Sequence, residues 1–255
     1  MEFGLNLYSI RTLIGTEEQY LDTCLKLKDM GYGFVQFSGA KFDAGMIRRV
    51  ATESGLPVCL THVSQDRILN DTDRLMEEHE SFGCHNIGLG SLSKAGYADE
   101  NSFKQTVDML AERAAYMKKN GFEFFYHHHN IEFIKFGEKT GFDYIVENAP
   151  EVNITLDTYW LQCGGADVCE TIKKLKGRIV CSHLKDYMMV KTEDWCKNVF
   201  APVGDGNLDF KKIIPLLRES GSEYCLVEQD NAVDFANPLD QVKRSIDYLK
   251  NLNFR

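Results

Sequence analysis

Short apolar runs of strand length recur along the chain and alternate with segments of helical periodicity. Eight such runs lie near residues 3–8, 34–39, 57–62, 86–91, 122–128, 152–157, 178–184 and 223–229. Between them, apolar residues recur with the spacing of amphipathic helices, most clearly over residues 17–30, 73–82, 103–120, 166–175, 210–219 and 239–252. Glycine, which is favoured just past a helix end, follows several of these helices, at Gly31, Gly121, Gly177 and Gly221.

This alternation predicts a parallel sheet built from βα units. Strands that alternate with helices of about 10–15 residues form βαβ units, and eight such units close a (β/α)8 TIM barrel. No Pro-, Ser- or Gly-rich stretch interrupts the pattern, so we predict a single α/β domain over residues 1–255. A doubly wound open sheet is the alternative, but the Gly-rich phosphate loop that often opens such a sheet is missing after the first strand.

Composition and charge mainly exclude classes of protein. With 44% hydrophobic and 26% charged residues, the chain has the composition of a globular protein with a substantial core. The formal net charge of -9 disfavours nucleic-acid binding, which normally requires a basic surface. We see neither a secretory-type start nor an apolar run of about 18 residues, so we predict a cytoplasmic protein without membrane contact. The eight cysteines form no CxxC pair and are expected to be reduced.

Four predicted strands in the second half of the chain end with a side chain that can bind a metal ion. These side chains are His127, Asp157, His183 and Glu228. Any one of them alone would more often be structural, but the C-terminal strand ends of a barrel meet at one face, where catalytic groups lie. Two imidazoles with two carboxylates suit Mn²⁺, Co²⁺, Zn²⁺ or Fe²⁺ better than Ca²⁺. We therefore predict one divalent metal ion, with Mn²⁺ as the first choice.

The run His127-His128-His129 is sorted by strand geometry. Side chains alternate along a strand, so His127 and His129 face one way and His128 faces the other. We predict His127 as the metal ligand, His129 as a substrate-contacting or proton-transfer group, and His128 as a packing or hydrogen-bonded position. A register shift of two residues would exchange the roles of His127 and His129.

Other polar and aromatic residues near strand ends are weaker candidates, each with a structural alternative. Lys185, two residues after His183, could neutralise negative charge on a substrate or lie in a solvated loop. Glu132 could bind a substrate hydroxyl or orient a histidine. The Gly204-Asp205-Gly206 segment is predicted as a plain turn. The predicted substrate-binding residues are Tyr8, His62, Glu132 and Trp160.

Five segments carry a resemblance to a known family. They are LDTYW, GGAD, LKGRIVCSHLKDY, VGDGNLDF and EYCLVEQD, and they resemble the sugar phosphate isomerase/epimerase superfamily of xylose isomerase-like TIM barrels over essentially the whole chain. In that superfamily Glu, Asp, His and Glu from the last four strands hold the metal, and Asp157, His183 and Glu228 match the last three. His127 stands where the first Glu is usual, six positions after Gly121. The YHHH segment resembles inosose dehydratase, a lyase of the same superfamily.

The resemblance implies a metal-dependent sugar isomerase or epimerase that removes a proton next to a carbonyl and forms a metal-stabilised enediolate. Because His127 replaces a carboxylate, isomerisation, or β-elimination from a keto sugar, inosose or 3-keto-glycoside, fits better than epimerisation by two carboxylates. Glu228 is the expected base, but a metal-bound carboxylate is a weak base, so His129 is an alternative. Lys185 completes the predicted catalytic set.

The expected partner is a small sugar, keto sugar or cyclitol, and family likeness favours a homo-oligomer. Two other classes stay open. A multinuclear zinc endonuclease would need ligands on earlier strands, yet strands two and four end in FSG and LGS. A non-catalytic sugar-binding barrel would keep the fold and need no metal.

Overall fold

Eight parallel strands form a closed barrel in the computed structural model, which describes residues 1–252. The predicted end of the domain at residue 255 lies outside the described residues. The strands are β1 Phe3–Asn6, β2 Phe34–Phe37, β3 Val58–Val63, β4 Asn86–Leu89, β5 Glu123–His127, β6 Lys135–Phe136, β7 Lys139–Thr140, β8 Asn153–Asp157, β9 Cys181–Leu184, β10 Asp186–Lys191, β11 Cys196–Ala201 and β12 Tyr224–Val227.

The barrel runs in the order β1, β2, β3, β4, β5, β8, β9 and β12, and it closes where β12 pairs with β1. This order confirms the predicted (β/α)8 TIM barrel. The other strands form two antiparallel hairpins, β6 with β7 and β10 with β11. Both hairpins lie in connections that follow barrel strands, so they stand beside the face where the strands end.

Helices surround the barrel. They are α1 Glu17–Met30, α2 Ala44–Ser54, α3 Gln65–Asn70, α4 Thr72–Glu80, α5 Glu100–Lys119, α6 Gly141–Asn148, α7 Thr158–Cys163, α8 Val168–Lys174, α9 Phe210–Ser220 and α10 Pro238–Asn251. The six predicted helices correspond to α1, α4, α5, α8, α9 and α10. The sequence pattern missed α2, α3, α6 and α7. Of these, α3 and α7 have 6 residues each and show less than two turns of apolar periodicity.

The first strand is shorter than predicted, which corrects the placement of Tyr8. We expected Tyr8 at the end of a strand over residues 3–8, but β1 ends at Asn6 and Tyr8 lies in the 3-10 segment Leu7–Leu13. The Asn6 side chain accepts a hydrogen bond from the Tyr8 backbone N–H at 3.1 Å, which turns the chain out of the strand.

Local signals account for the helix ends that were predicted. Thr16 and Gln19 cap the start of α1 reciprocally, each side chain accepting from the other's backbone N–H at 3.2 Å. At the other end, Gly31 adopts φ 95° and its N–H donates to the carbonyls of Leu27 and Lys28. Gly221 ends α9 in the same way, with φ 88°. A residue with a Cβ would be strained at both positions.

A small apolar cluster fills the barrel below the site. It consists of Phe34, Cys59, Leu60, Phe125, Cys181 and Leu226. Phe125, Cys181 and Leu226 each precede a predicted metal ligand by two residues, so strand alternation places them one layer beneath the ligands. A Cβ on Gly4 would lie 2.2 Å from the Phe34 ring, which shows how fully this layer is packed. The larger core lies between the barrel and the helices.

Two expectations drawn from composition are also answered. Within residues 1–252, no helix is both long and apolar enough to cross a bilayer. All eight cysteines are free, as expected, and five of them are buried.

Candidate metal centre

Four buried side chains converge at the C-terminal end of the barrel. One ligand atom from each of His127, Asp157, His183 and Glu228 lies within 4.8 Å of the others. His127 and Asp157 are the last residues of β5 and β8, His183 lies near the end of β9, and Glu228 follows β12. Strand register brings them together, because Asp157 pairs with His183 and β12 pairs with β9.

Lone pairs face each other within this cluster. His183 Nδ1 lies 2.7 Å from Glu228 Oε2, but neither atom has a partner with hydrogen-bond alignment. His127 Nε2 lies 3.3 Å from Asp157 Oδ2, and His183 Nδ1 lies 4.0 Å from the same oxygen. Buried acceptor atoms turned toward one another need a cation between them. The mixed nitrogen and oxygen donor set fits a divalent transition metal or Mg²⁺.

Residues of the first half of the barrel fix which imidazole nitrogen faces the cluster. His127 Nδ1 donates to the carbonyl of Gly90 at 3.0 Å, which leaves the Nε2 lone pair turned toward the cluster. The carboxamide oxygen of Gln36 lies 2.7 Å from His183 Nε2, so His183 presents Nδ1. Sequence reasoning missed Gln36. The available signal was a single polar residue at an interior position of an otherwise apolar strand, FVQF.

Burial keeps the imidazoles of His62, His127 and His129 neutral. Removal from water disfavours the imidazolium ion, so it lowers the pKa of His62 to about 3 and that of His129 to about 4. Burial also holds the pKa of His127 well below its usual range. A neutral imidazole keeps the lone pair that metal binding requires.

Lys185 lies among three carboxylates and is 1% exposed. Its Nζ is 2.9 Å from Asp230 Oδ1, 3.6 Å from Glu228 Oε2 and 3.7 Å from Asp157 Oδ2. Burial alone would lower the pKa of Lys185, but attraction to Glu228, Asp157 and Asp230 outweighs it and raises the pKa. The ammonium group therefore stays charged.

The two carboxylates of the cluster differ in their affinity for a proton. Burial is the main cause that raises the pKa of Asp157 to about 7, and Lys185 opposes it. Burial acts in the same direction on Glu228, but the Lys185 ammonium outweighs it and holds the pKa of that carboxyl below its usual range. Glu228 is thus the carboxylate that stays ionised most readily.

A cavity of about 360 Å³ opens above the cluster. Of the residues predicted for the site, it is lined by Tyr8, His62, His127, His129, Lys185 and Glu228. Asp230, Ser38, Ser64, Gly90 and Ser91 also line it and were not predicted. Its volume is at the lower end of the usual range for small-molecule sites, about 300–1,000 Å³.

Two of the predicted substrate-binding residues lie behind the cavity wall. Glu132 is 1% exposed, and its carboxylate accepts from the Tyr126 hydroxyl at 2.7 Å and from the His129 backbone N–H at 2.6 Å. It therefore holds the backbone of His129. The Trp160 ring lies 5.2 Å from His129 and 5.2 Å from Lys185 Nζ, so it backs both residues.

His128 points out of the barrel, away from His127 and His129. Its ring packs against Phe133 and Phe142. Its Nε2 accepts the backbone N–H of Asp157 at 3.1 Å, which links the ends of β5 and β8. The Asp157 side chain is fixed as well, because Oδ1 accepts from the Trp160 N–H at 2.9 Å and caps α7. Only Oδ2 of Asp157 then remains for the cluster.

Small residues on β4 leave room for His62. A Cβ on Gly90 would lie 3.0 Å from His62 Nδ1, and one on Gly88 would lie 2.5 Å from the carbonyl of Thr61. His62 stacks on His127 with ring centroids 5.5 Å apart, and its Nδ1 lies 3.3 Å from the Ser38 hydroxyl. The LGS end of this strand thus serves the site without supplying a ligand.

Asp186 organises the loop that was predicted as a plain turn. Its buried carboxylate accepts the backbone N–H groups of Gly204 at 3.0 Å, Gly206 at 3.1 Å and Leu208 at 3.1 Å. A Cβ on Gly206 would lie 2.3 Å from the Asp186 carboxylate. This contact holds the loop against the start of β10, directly after Lys185.

Comparison with known proteins agrees with this architecture. The family model described as a xylose isomerase-like TIM barrel matches residues 24–252. The chain belongs to the xylose isomerase-like TIM-barrel family. This places it within the superfamily that its sequence motifs resemble.

Curated relatives that match this chain include inosose dehydratases. The protein from Clostridium perfringens is 29% identical over 166 residues, which cover 60% of this chain and 55% of that protein. The inosose dehydratase from Mesomycoplasma hyopneumoniae is 29% identical over 174 residues, covering 61% and 56%. The chain thus spans about half the length of the curated relatives it matches. These relatives are enzymes by name.

Solved structures share the fold. A sugar phosphate isomerase/epimerase from Parabacteroides distasonis superimposes with a TM-score of 0.80 at 20% identity, covering 98% of this chain and 93% of that chain. At this identity the likeness concerns the fold alone. A xylose isomerase-like TIM-barrel protein from Mycobacterium smegmatis, with a TM-score of 0.71 at 13% identity, covers 98% and 96% and was crystallised with magnesium.

Proposed function

We propose that this chain is a divalent-metal-dependent enzyme that removes a proton next to the carbonyl of a small keto sugar or cyclitol and then eliminates water. The observation that carries the proposal is the set of facing lone pairs on His127, Asp157, His183 and Glu228 beneath a cavity that also contains Lys185. The inosose dehydratase relatives favour elimination as the outcome.

His127, Asp157, His183 and Glu228 would hold the ion. A bound divalent ion supplies a Lewis acid that stabilises negative charge on substrate oxygen. Mn²⁺ remains our first choice, and Mg²⁺ joins Co²⁺, Zn²⁺ and Fe²⁺ as an alternative because the donor set is half carboxylate.

Glu228 is placed to act as the base. It lines the cavity, and the Lys185 ammonium keeps it ionised. The proton that Glu228 takes from carbon is returned to the departing hydroxyl, directly or through His129, so that water leaves and no net proton is consumed. The Lys185 ammonium balances the negative charge that develops on the substrate. Glu132 and Trp160 hold His129 against the cavity.

Isomerisation is the second candidate reaction. It uses the same first step. The proton then returns to the neighbouring carbon, and no hydroxyl group leaves. One ionised base, Glu228, is enough for this reaction, whereas epimerisation by two carboxylates lacks its second base because His127 replaces it. Asp157 cannot serve as that base, because both of its oxygens are engaged at the cap of α7 and in the cluster.

The test follows hydrogen exchange and product formation together. Protein loaded in turn with Mn²⁺, Co²⁺, Zn²⁺ and Mg²⁺ is incubated with inososes and keto sugars in deuterated water and monitored by NMR. We expect metal-dependent loss of the proton next to the carbonyl, together with release of water. Asp157→Ala should abolish both, while Asp22→Ala, an exposed pair partner of Lys26, should retain them.

Each result assigns the chain to one class. Exchange without water release, with a new sugar isomer, would favour isomerisation. Tight binding of a keto sugar or cyclitol without exchange under any metal would contradict the catalytic proposal and favour the non-catalytic sugar-binding barrel.

A further inference from the structure

The charges around the cavity would balance once a divalent ion is bound. Three carboxylates, Asp157, Glu228 and Asp230, surround the Lys185 ammonium within 3.7 Å. Once a divalent ion is bound, its two positive charges and that of Lys185 match these three negative charges. The histidines at the cavity are neutral. A cavity balanced in this way has no surplus positive charge for an anionic substrate.

Asp230 accounts for the balance. It makes the shortest contact of the three with Lys185, 2.9 Å, and lines the cavity beside it. It lies outside the group of four whose ligand atoms converge. Without Asp230, Lys185 would carry a free donor into the cavity, which is the arrangement that recognises a phosphate or carboxylate.

Arg11 does not supply the missing positive charge. Its Nη1 donates to the backbone carbonyls of Tyr8 at 2.8 Å and Asp230 at 3.0 Å, and its guanidinium lies 4.3 Å from the centre of the Tyr8 ring. It is therefore engaged with the loop that carries Asp230. Among residues 1–252, Lys185 is the only cationic side chain that lines the cavity.

The remaining polar lining is of hydroxyl and neutral imidazole type. Ser38, Ser64 and Ser91 line the wall opposite the metal-binding strands, with His62 between them. Such groups donate to and accept from substrate hydroxyls without carrying charge. They suit a small molecule with several hydroxyl groups.

We infer that the substrate is an uncharged polyhydroxy ketone, bearing neither phosphate nor carboxylate, and that Asp230 enforces this choice by neutralising Lys185. The part of the inference that concerns the ketone group rests on the proposed function. The part that concerns the absence of charge does not. Asp230 acts as a repulsive element against anionic analogues, the usual means by which a site rejects a near relative of its ligand.

The experiment measures binding without turnover. Mn²⁺-loaded protein is titrated calorimetrically with matched pairs, dihydroxyacetone with its phosphate and xylulose with its 5-phosphate. We expect the wild type to bind each neutral member more tightly than its phosphate, by about tenfold or more. Asp230→Asn should shrink or reverse that ratio. Asp234→Asn, an exposed acid four residues further along the same loop, should leave it unchanged.

Every outcome bears on the inference. Equal or tighter binding of the phosphates by the wild type would overturn it, as would failure to bind both neutral members up to their solubility limit. An unchanged ratio in Asp230→Asn would remove Asp230 as the cause. The wild-type comparison does not depend on the folding of any variant.

The two proposals fail separately. Preference for neutral ligands without proton exchange would count against the proposed reaction and leave the charge selection standing. Proton exchange with a phosphorylated substrate would do the reverse.

Discussion

The two halves of the barrel share one architecture but divide the work of the site. Strands β5, β8, β9 and β12 supply the converging groups His127, Asp157, His183 and Glu228. Strands β2, β3 and β4 supply none of these, yet Gln36 and the Gly90 carbonyl orient the two imidazoles. One half therefore supplies the side chains that could hold a metal ion, while the other sets which atom each histidine turns toward the cluster.

The largest expected effect comes from the ligand half. Asp157→Ala should abolish stoichiometric metal binding, because it removes the carboxylate oxygen that lies 3.3 Å from His127 Nε2 and 4.0 Å from His183 Nδ1. Elemental analysis of the purified protein after removal of loosely bound ions measures this. It should also cost about 1 kcal/mol of stability, because Asp157 caps α7. Asp157→Ala protein with undiminished metal content would show that the cluster is not the site.

A buried histidine outside the barrel, His79, contrasts with the histidines of the cluster. His79 lies on α4 outside the barrel with both nitrogens engaged, Nδ1 2.6 Å from the Leu75 carbonyl and Nε2 2.7 Å from the Thr61 hydroxyl. Burial lowers its pKa from 6.5 to about 4. A lowered histidine pKa contributes stability that is present above pH 6.5 and lost as the pH falls toward 4, by about 3 kcal/mol at most.

Replacing His79 should remove that part of the pH dependence. We expect the free energy of unfolding of His79→Gln, measured with urea from pH 7 to pH 4, to fall less steeply than that of the wild type. Gln105→Ala, a change at an exposed uncharged residue, is the control and should keep the wild-type slope. Parallel curves for the wild type and His79→Gln would refute this assignment.

Gln36 tests whether the first half truly governs the second. Gln36→Leu leaves every ligand in place but removes the acceptor that holds His183 Nε2, so metal affinity should fall about 10- to 100-fold. Gln36→Glu keeps an acceptor oxygen facing the imidazole and should lose less. Metal titration of both variants by calorimetry decides the point, and equal affinity for Gln36→Leu and the wild type would break the proposed division.

Gly90 gives the smallest effect. A methyl group there would lie 3.0 Å from His62 Nδ1, so Gly90→Ala should displace His62 and cost about 1 kcal/mol in urea unfolding. His62→Ala removes the obstacle, and the double variant should therefore be more stable than the sum of the single effects predicts. Strict additivity would mean that the methyl group and the imidazole do not meet.

Much of the fold was readable along the chain, because strand and helix periods are local. The eight barrel strands were predicted within a few residues, and Gly31 and Gly221 end helices as expected. Errors fell where local signal is weak. Tyr8 lies beyond β1 because Asn6 turns the chain, and short helices such as α7 show little periodicity.

The four residues that could hold a metal ion were also visible in sequence, because they stand near strand ends and carry the residue types that bind metals. Sequence by itself therefore determined a TIM barrel with a His, Asp, His and Glu set at one face. Strand alternation predicted that His128 faces away from His127 and His129. Its ring packs against Phe142, whereas His127 and His129 line the cavity.

Only the tertiary structure decided how these groups act. Gln36 meets His183 across 147 positions of the chain, and Arg11 meets the Asp230 carbonyl across 219. Closure of β12 onto β1 creates such contacts, and no local period encodes them. The same is true of the charge balance at Lys185, since it depends on distances between side chains from three different strand ends. Sequence determined which groups are present, and the closed barrel decided which nitrogen, oxygen or charge each one presents.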